Sequence, residues 1–127
     1  MKHKQNPTDA ELQLLKVLWK NGPCTVGQVS TLLKDNPPRG YTTILKLLQI
    51  MTEKGLVRRD KSSRAHVYRA AVSNEQIHRN YLRNLLDRVF DNSTRKLVAQ
   101  ALAVRPVSRE ELLEIKRMLD EMEAKTK

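Results

Sequence analysis

Four times along this 127-residue chain a Ser or Thr stands three positions ahead of a Glu or Gln, and each time an apolar period follows. The pairs are Thr8 with Glu11, Thr25 with Gln28, Ser73 with Gln76 and Ser108 with Glu111. In such a capping box the hydroxyl accepts a free first-turn N–H, and the acid or amide reaches back to the N–H of the cap. Four boxes predict four helix starts, which commits most of the chain to helix.

Each start opens a segment with its own stop. The first helix is expected from about Asp9 to Lys20, with Leu12, Leu15, Leu18 and Trp19 on one face, ended by Asn21-Gly22-Pro23. A shorter helix follows Thr25, burying Val26, Val29, Leu32 and Leu33, and stops before the turn cluster Asp35-Asn36-Pro37-Pro38. A third begins near Tyr41 or Thr42 and reaches Lys54, with Gly55 at its C-terminal end. Its Ile44, Leu47, Leu48 and Met51 stand at i, i+3, i+4 and i+7, a single apolar stripe.

After Gly55 the period changes. Leu56-Val57-Arg58-Arg59 and Ala65-His66-Val67-Tyr68-Arg69 are short β-prone runs flanking Asp60-Lys61-Ser62-Ser63-Arg64, which predicts a β-hairpin with a basic tip. Beyond Ser73 the pattern is again helical: about Asn74–Phe90, about Ser93–Ala103, and Arg109 to about Ala124. The fold class expected is mainly α with a small β-wing: a winged helix-turn-helix over residues 1–72 and a helical dimerisation region over 73–127.

Charge divides the same way. The net charge is +10, and residues 1–72 hold 13 Lys and Arg against 5 Asp and Glu, whereas residues 73–127 hold 11 against 9. A basic half joined to a nearly balanced one implies that the first half meets a polyanion. In a helix-turn-helix the third helix turns one side to the core and the other into the major groove. Opposite the apolar stripe stand Thr42, Thr43, Lys46 and Gln49, which can donate to guanine, pair with adenine or meet a thymine methyl. Tyr41 lies at the same mouth, and Arg39 just ahead of it suits a phosphate held near the free N–H groups of the helix start. Arg58, Arg59, Lys61 and Arg64 make the hairpin a basic wing for phosphate or the minor groove.

Enzymatic chemistry finds no foothold. His3, His66 and His78 are scattered away from metal-ligand spacing, Cys24 is a lone cysteine expected to be packed, and no glycine-rich phosphate loop is present. We expect no catalytic residues, no metal and no cofactor. No apolar run approaches the roughly 20 residues of a membrane span, and Met1-Lys2-His3-Lys4-Gln5-Asn6-Pro7 leads into no signal-peptide core. A cytoplasmic protein without membrane insertion is expected.

The C-terminal helices carry one-sided apolar stripes: Tyr81, Leu85 and Val89 in one, Leu112, Ile115, Leu119 and Met122 in another. Three such helices cannot enclose a core of ordinary stability in about 55 residues, so a second copy of the chain is the simplest cover. Two other readings stay open at this point: a basic module that binds RNA or the ribosome, and a winged helix used only for protein contacts.

The residues just described also carry a family likeness. Thr8-Asp9-Ala10-Glu11-Leu12 through Val17-Leu18-Trp19, Thr25-Val26 with Val29, Tyr41-Thr42-Thr43-Ile44 through Lys54-Gly55-Leu56-Val57, and His66-Val67-Tyr68 make the chain resemble the penicillinase repressor family of bacteria, often called BlaI/MecI. The resemblance implies a homodimeric transcriptional repressor that covers a palindromic double-stranded DNA operator. It also implies release by proteolysis in the dimerisation region, set off by a membrane sensor metallopeptidase. The corresponding cleavage site would fall in the helix containing Gln100 and Ala101, where the best-known members carry Asn-Phe. Ile50 stands where the family often has Arg. The copper-responsive branch uses a Cys-rich tail, which the closing residues Met122 to Lys127 do not provide.

Overall fold

A computed structural model describes residues 6–33, 39–62 and 64–126. The turn cluster at 35–38, Ser63 of the hairpin tip, the first five residues and Lys127 lie outside the described residues. The element order is α1 (Asp9–Asn21), β1 (Cys24–Thr25), α2 (Val26–Leu32), α3 (Tyr41–Lys54), β2 (Val57–Asp60), β3 (Val67–Ala70), α4 (Asn74–Arg88), α5 (Thr94–Val104) and α6 (Arg109–Lys125). By its packing the chain divides into two compact units, Met1–Leu82 and Arg83–Lys127.

The helix starts obey the capping logic. Thr8 and Thr25 each complete a reciprocal box, with Glu11 and with Gln28. At α4 the Ser73 hydroxyl accepts from the Gln76 N–H while the Ser73 N–H donates to the Gln76 side chain. Ser108 accepts from the Glu111 N–H at the head of α6, and Ser93 does the same from Lys96 for α5. At the far end of α3, Gly55 is left-handed (φ 81°), a conformation that costs an L side chain about 1–2 kcal/mol. The Leu56 N–H then reaches back to the Met51 carbonyl, a Schellman closure. Leu56 thus belongs to the helix cap, and the hairpin strands run Val57–Asp60 and Val67–Ala70, shifted from the runs read in the sequence.

The sheet is antiparallel in the order β1-β3-β2. Cys24 pairs with Tyr68 and Thr25 with Val67, so the two-residue β1 joins the wing to the helix-turn-helix. Thr25 is at once the last strand residue and the cap of α2. The short β1 was not anticipated, because its partner lies over 40 residues away.

The core of the first unit gathers Leu14, Leu15 and Leu18 of α1, Val26 and Val29 of α2, and Ile44, Leu48 and Met51 of α3. Leu56, Val57, Tyr68, Val72 and Ile77 close it, with Trp19 and Tyr81 packed at its margin. Trp19 is fixed by its indole N–H, which donates to the Val72 carbonyl at 2.9 Å. Two expectations need correction. Leu14 is buried, beyond the face expected for α1, and Leu32 of α2 is 42% exposed. At roughly 100° per residue Leu32 points about 120° away from Val26, whereas Leu33, just past the end of α2, packs half-buried against the core.

Glu11 is buried at 2% exposure, and two donor groups make three hydrogen bonds to its carboxylate. The Thr8 N–H donates at 2.9 Å, and the Lys54 Nζ donates to both oxygens at 2.8 and 2.9 Å. One ion pair therefore ties the first turn of α1 to the last turn of α3.

In the second unit, described to Thr126, α5 and α6 bury no residue fully. Asp91 (φ 51°) and Asn92 (φ 59°) make the turn between α4 and α5, where the short polar side chains of Asp and Asn tolerate the left-handed region.

Candidate nucleic-acid interface

Because Ile44, Leu48 and Met51 are locked into the core, the helical period forces the other side of α3 outward. Tyr41, Thr42, Thr43, Lys46 and Gln49 are all exposed along it. The row offers an ammonium, a carboxamide and two hydroxyls, a mix of donors and acceptors that matches base edges. Gly40 caps α3 with no side-chain hydrogen bond, so the first-turn N–H groups receive no cap from that residue. Such groups, with the positive end of the helix dipole, favour an anion. Arg39 stands half-buried just ahead, its carbonyl facing the Ser30 hydroxyl at 3.4 Å.

The hairpin supplies more cations. Val57 and Tyr68 turn inward, so the alternation of the strands places Arg58 and Arg59 on opposite faces of β2. Arg59 donates through Nη2 to His66 Nε2 at 3.1 Å, which makes that ring nitrogen the acceptor. Lys61 and Arg64 are exposed at the tip. Asp60 holds the turn by accepting the Ser62 hydroxyl at 2.7 Å and its N–H at 2.9 Å. Those two bonds, assisted by the charge of Arg69, hold the Asp60 carboxyl below the ordinary aspartate value.

Arg69 itself escaped the sequence reading. It lies directly across from Arg58 in the β2–β3 register and is exposed. The hairpin alternation could have revealed it only with the register known, since a slip of one residue moves a side chain to the other face.

The remaining candidates fall elsewhere. Leu85, Val89, Leu112, Leu119 and Met122 are between 40% and 65% exposed, and Ile115 is half-buried. Tyr81 lies in the first unit, where its hydroxyl donates to the Pro7 carbonyl at 2.6 Å. Burial first, then the charges of Asp9 and Glu11, pushes that phenol above its ordinary pKa. Gln100 and Ala101 are exposed within α5. Cys24 is buried, and burial raises its thiol pKa. Among the described residues no cluster of His, Cys, Asp and Glu could hold a metal, and no helix is long and apolar enough to cross a membrane.

Comparison with known proteins agrees with this geometry. The chain is 26% identical over 121 residues to the penicillinase repressor of Bacillus licheniformis, covering 95% of this chain and 94% of that one. It is 29% identical over 117 residues to the transcriptional regulator BlaI of Mycobacterium tuberculosis, covering 91% of this chain and 84% of that one. Among solved structures, the DNA-binding domain of the repressor BlaI superposes with a TM-score of 0.50 at 28% identity, covering 58% of this chain and 90% of that domain. A MarR family protein from Bacillus stearothermophilus shares the fold at a TM-score of 0.54 and 20% identity, over 95% of this chain and 76% of its own. The family model described as penicillinase repressor matches residues 7–121, and the chain belongs to that family of transcriptional repressors.

Proposed function

We propose that this DNA-binding transcriptional repressor acts as a homodimer on a palindromic operator. In this reading α3 enters the major groove with Thr42, Thr43, Lys46 and Gln49 on the base edges. Arg39, Tyr41, Arg58, Arg59, Lys61 and Arg64 hold the flanking backbone. The observation that carries the reading is the exposed polar row of α3, set back to back with a fully buried apolar row and followed by a basic hairpin.

The dimer is supported by what the C-terminal helices leave uncovered. Leu112, Leu119 and Met122 remain open to solvent on α6, an amphipathic helix that buries nothing completely, and Val89 is exposed just past the end of α4. A second copy would cover them, and a two-fold dimer matches a two-fold operator. Residues 73–127 then form the dimerisation region, with the first turns of α4 also anchored by Ile77 in the first unit. Release follows from the same linkage: cleavage in α5 at Gln100-Ala101 by a membrane sensor metallopeptidase would detach α6 and uncouple the two readers. Such a repressor works in the cytoplasm. Against RNA, Tyr41 is the one aromatic among the exposed large apolar side chains of the described residues, which leaves no platform for stacking successive bases.

The test is sedimentation beside operator binding for the intact protein and Leu119→Asp. An Asp there places an unpaired charge in the interface, a cost of several kcal/mol. The variant should be monomeric at micromolar concentration and bind the operator ~100-fold or more weakly, because the second reader loses its effective concentration. Equal operator affinity for both proteins, or a monomeric intact protein, overturns the reading.

A further inference from the structure

The outer face of the wing holds two guanidinium groups in a position that the free protein gains nothing from. Arg58 and Arg69 are direct cross-strand partners on the same face of β2 and β3, and both are exposed. Directly opposed side chains have Cβ atoms about 4.5–5.5 Å apart, and like charges there destabilise a strand pair. The acid on this face is Asp60, diagonal to Arg69 and already engaged by two hydrogen bonds from Ser62. Of the influences on the Asp60 carboxyl, the charge of Arg69 is the smallest. Among the described residues Arg58 has no ion pair.

A groove adjoins Arg58, lined by Thr52 and Gly55 from the end of α3, by Val57, Arg58 and Arg59 of β2, and by Lys61 just beyond it. β2 is an edge strand, so one side of this groove is not occupied by a neighbouring strand. Arg58, Arg59 and Lys61 thus line one shallow depression beside the end of α3.

We propose that Arg58 and Arg69 form a clamp for one phosphate of duplex DNA, with Arg69 a binding residue in its own right. Guanidinium groups suit such an anion because their planar donors meet two phosphate oxygens at once. An anion between the two converts a repulsion into two attractions. The proposal rests on the operator-binding reading and adds a signature that reading lacks: the pair destabilises the free wing and stabilises the bound one.

That signature is opposite in sign in two assays on the full chain. Melting is followed through Trp19, the sole tryptophan, which reports the first unit. Arg58→Gln and Arg69→Gln should each raise Tm by a few °C, and the double variant should add little more, because either change alone removes the repulsion. On a duplex operator each single variant should bind more weakly while the remaining arginine still neutralises the phosphate, and the double variant should also lose about 0.9 from the slope of log K against log salt. The double variant's loss of affinity should therefore be about 3-fold larger at 50 mM than at 200 mM salt. Arg69→Lys should keep the salt slope while losing part of the affinity. Independently of DNA, millimolar inorganic pyrophosphate at fixed ionic strength should raise the wild-type Tm by more than that of the double variant.

The outcomes separate the two readings. Wild-type operator affinity in Arg69→Gln, or an unchanged salt slope in the double variant, overturns the clamp alone. Equal pyrophosphate stabilisation of wild type and double variant also overturns it. A wild-type protein that binds no duplex overturns the operator reading, and the clamp with it.

Discussion

Replacing Lys54 by Ala would leave the Glu11 carboxylate 2% exposed with only the Thr8 N–H to meet it. Breaking a buried pair by removing one partner costs about 3–5 kcal/mol, because the surviving charge stays desolvated. The Lys54 side chain retains 21% exposure, so water can reach the vacated place and the loss should fall nearer ~2–4 kcal/mol. A unit of this size has roughly 4–12 kcal/mol in total, so the change consumes much of it and should lower Tm by roughly 10–25 °C. Urea unfolding read through Trp19 measures it in the unit concerned. A double change, Glu11→Leu with Lys54→Met, removes both charges and should recover most of the loss. It should still fall about 1 kcal/mol short, since half of the first capping box goes with Glu11. Operator affinity should fall with Lys54→Ala as well, because the pair fixes the end of the reading helix against α1. A loss below about 1 kcal/mol in the single variant would refute the reasoning, placing this bridge with exposed pairs.

Three further outcomes are expected. Lys46→Ala or Thr43→Ala should weaken specific binding by about 1–3 kcal/mol for each base edge left unread and relax preference at one operator position, measured by competition with single-base operator variants. Trp19→Phe should cost about 1–3 kcal/mol by leaving the Val72 carbonyl without its donor, measured by chemical denaturation followed by circular dichroism. The Asp60 carboxyl is held low, so the order it gives the hairpin turn is intact above the ordinary aspartate range near pH ~4 and is lost only as pH falls through its own lower value. An NMR titration of the Ser62 amide should therefore move late on acidification, and a midpoint at or above that of a free aspartate would contradict it.

What could be read from the sequence follows the range over which each feature acts. Thr8, Thr25, Ser73 and Ser108 announce helix starts because a cap is satisfied within three residues. Gly55 announces the end of α3 for the same reason, and the polar row from Thr42 to Gln49 was legible because the helical period leaves it nowhere else to point. Glu11 looked like an ordinary capping acid, since nothing local shows that Lys54, 43 residues on, would bury it. Arg69 was likewise hidden, as its partner is assigned by the pairing of two strands and not by either strand alone. Leu32 was misplaced because an apolar side chain carries no sign of whether its helix will last one more residue.

Position 25 shows how little latitude such a small domain leaves itself. Thr25 must be extended and paired with Val67 as a strand residue, and its hydroxyl must receive the Gln28 N–H as a helix cap. Valine would suit the first role and fail the second, while Ser, Asp or Asn would cap well but carry weak strand preference. Among the twenty side chains threonine alone combines branching at Cβ with a hydroxyl. A mutational scan of this position should therefore return almost a single letter, although the residue is only partly buried. Invariance there would record a junction, where two kinds of backbone order share one residue.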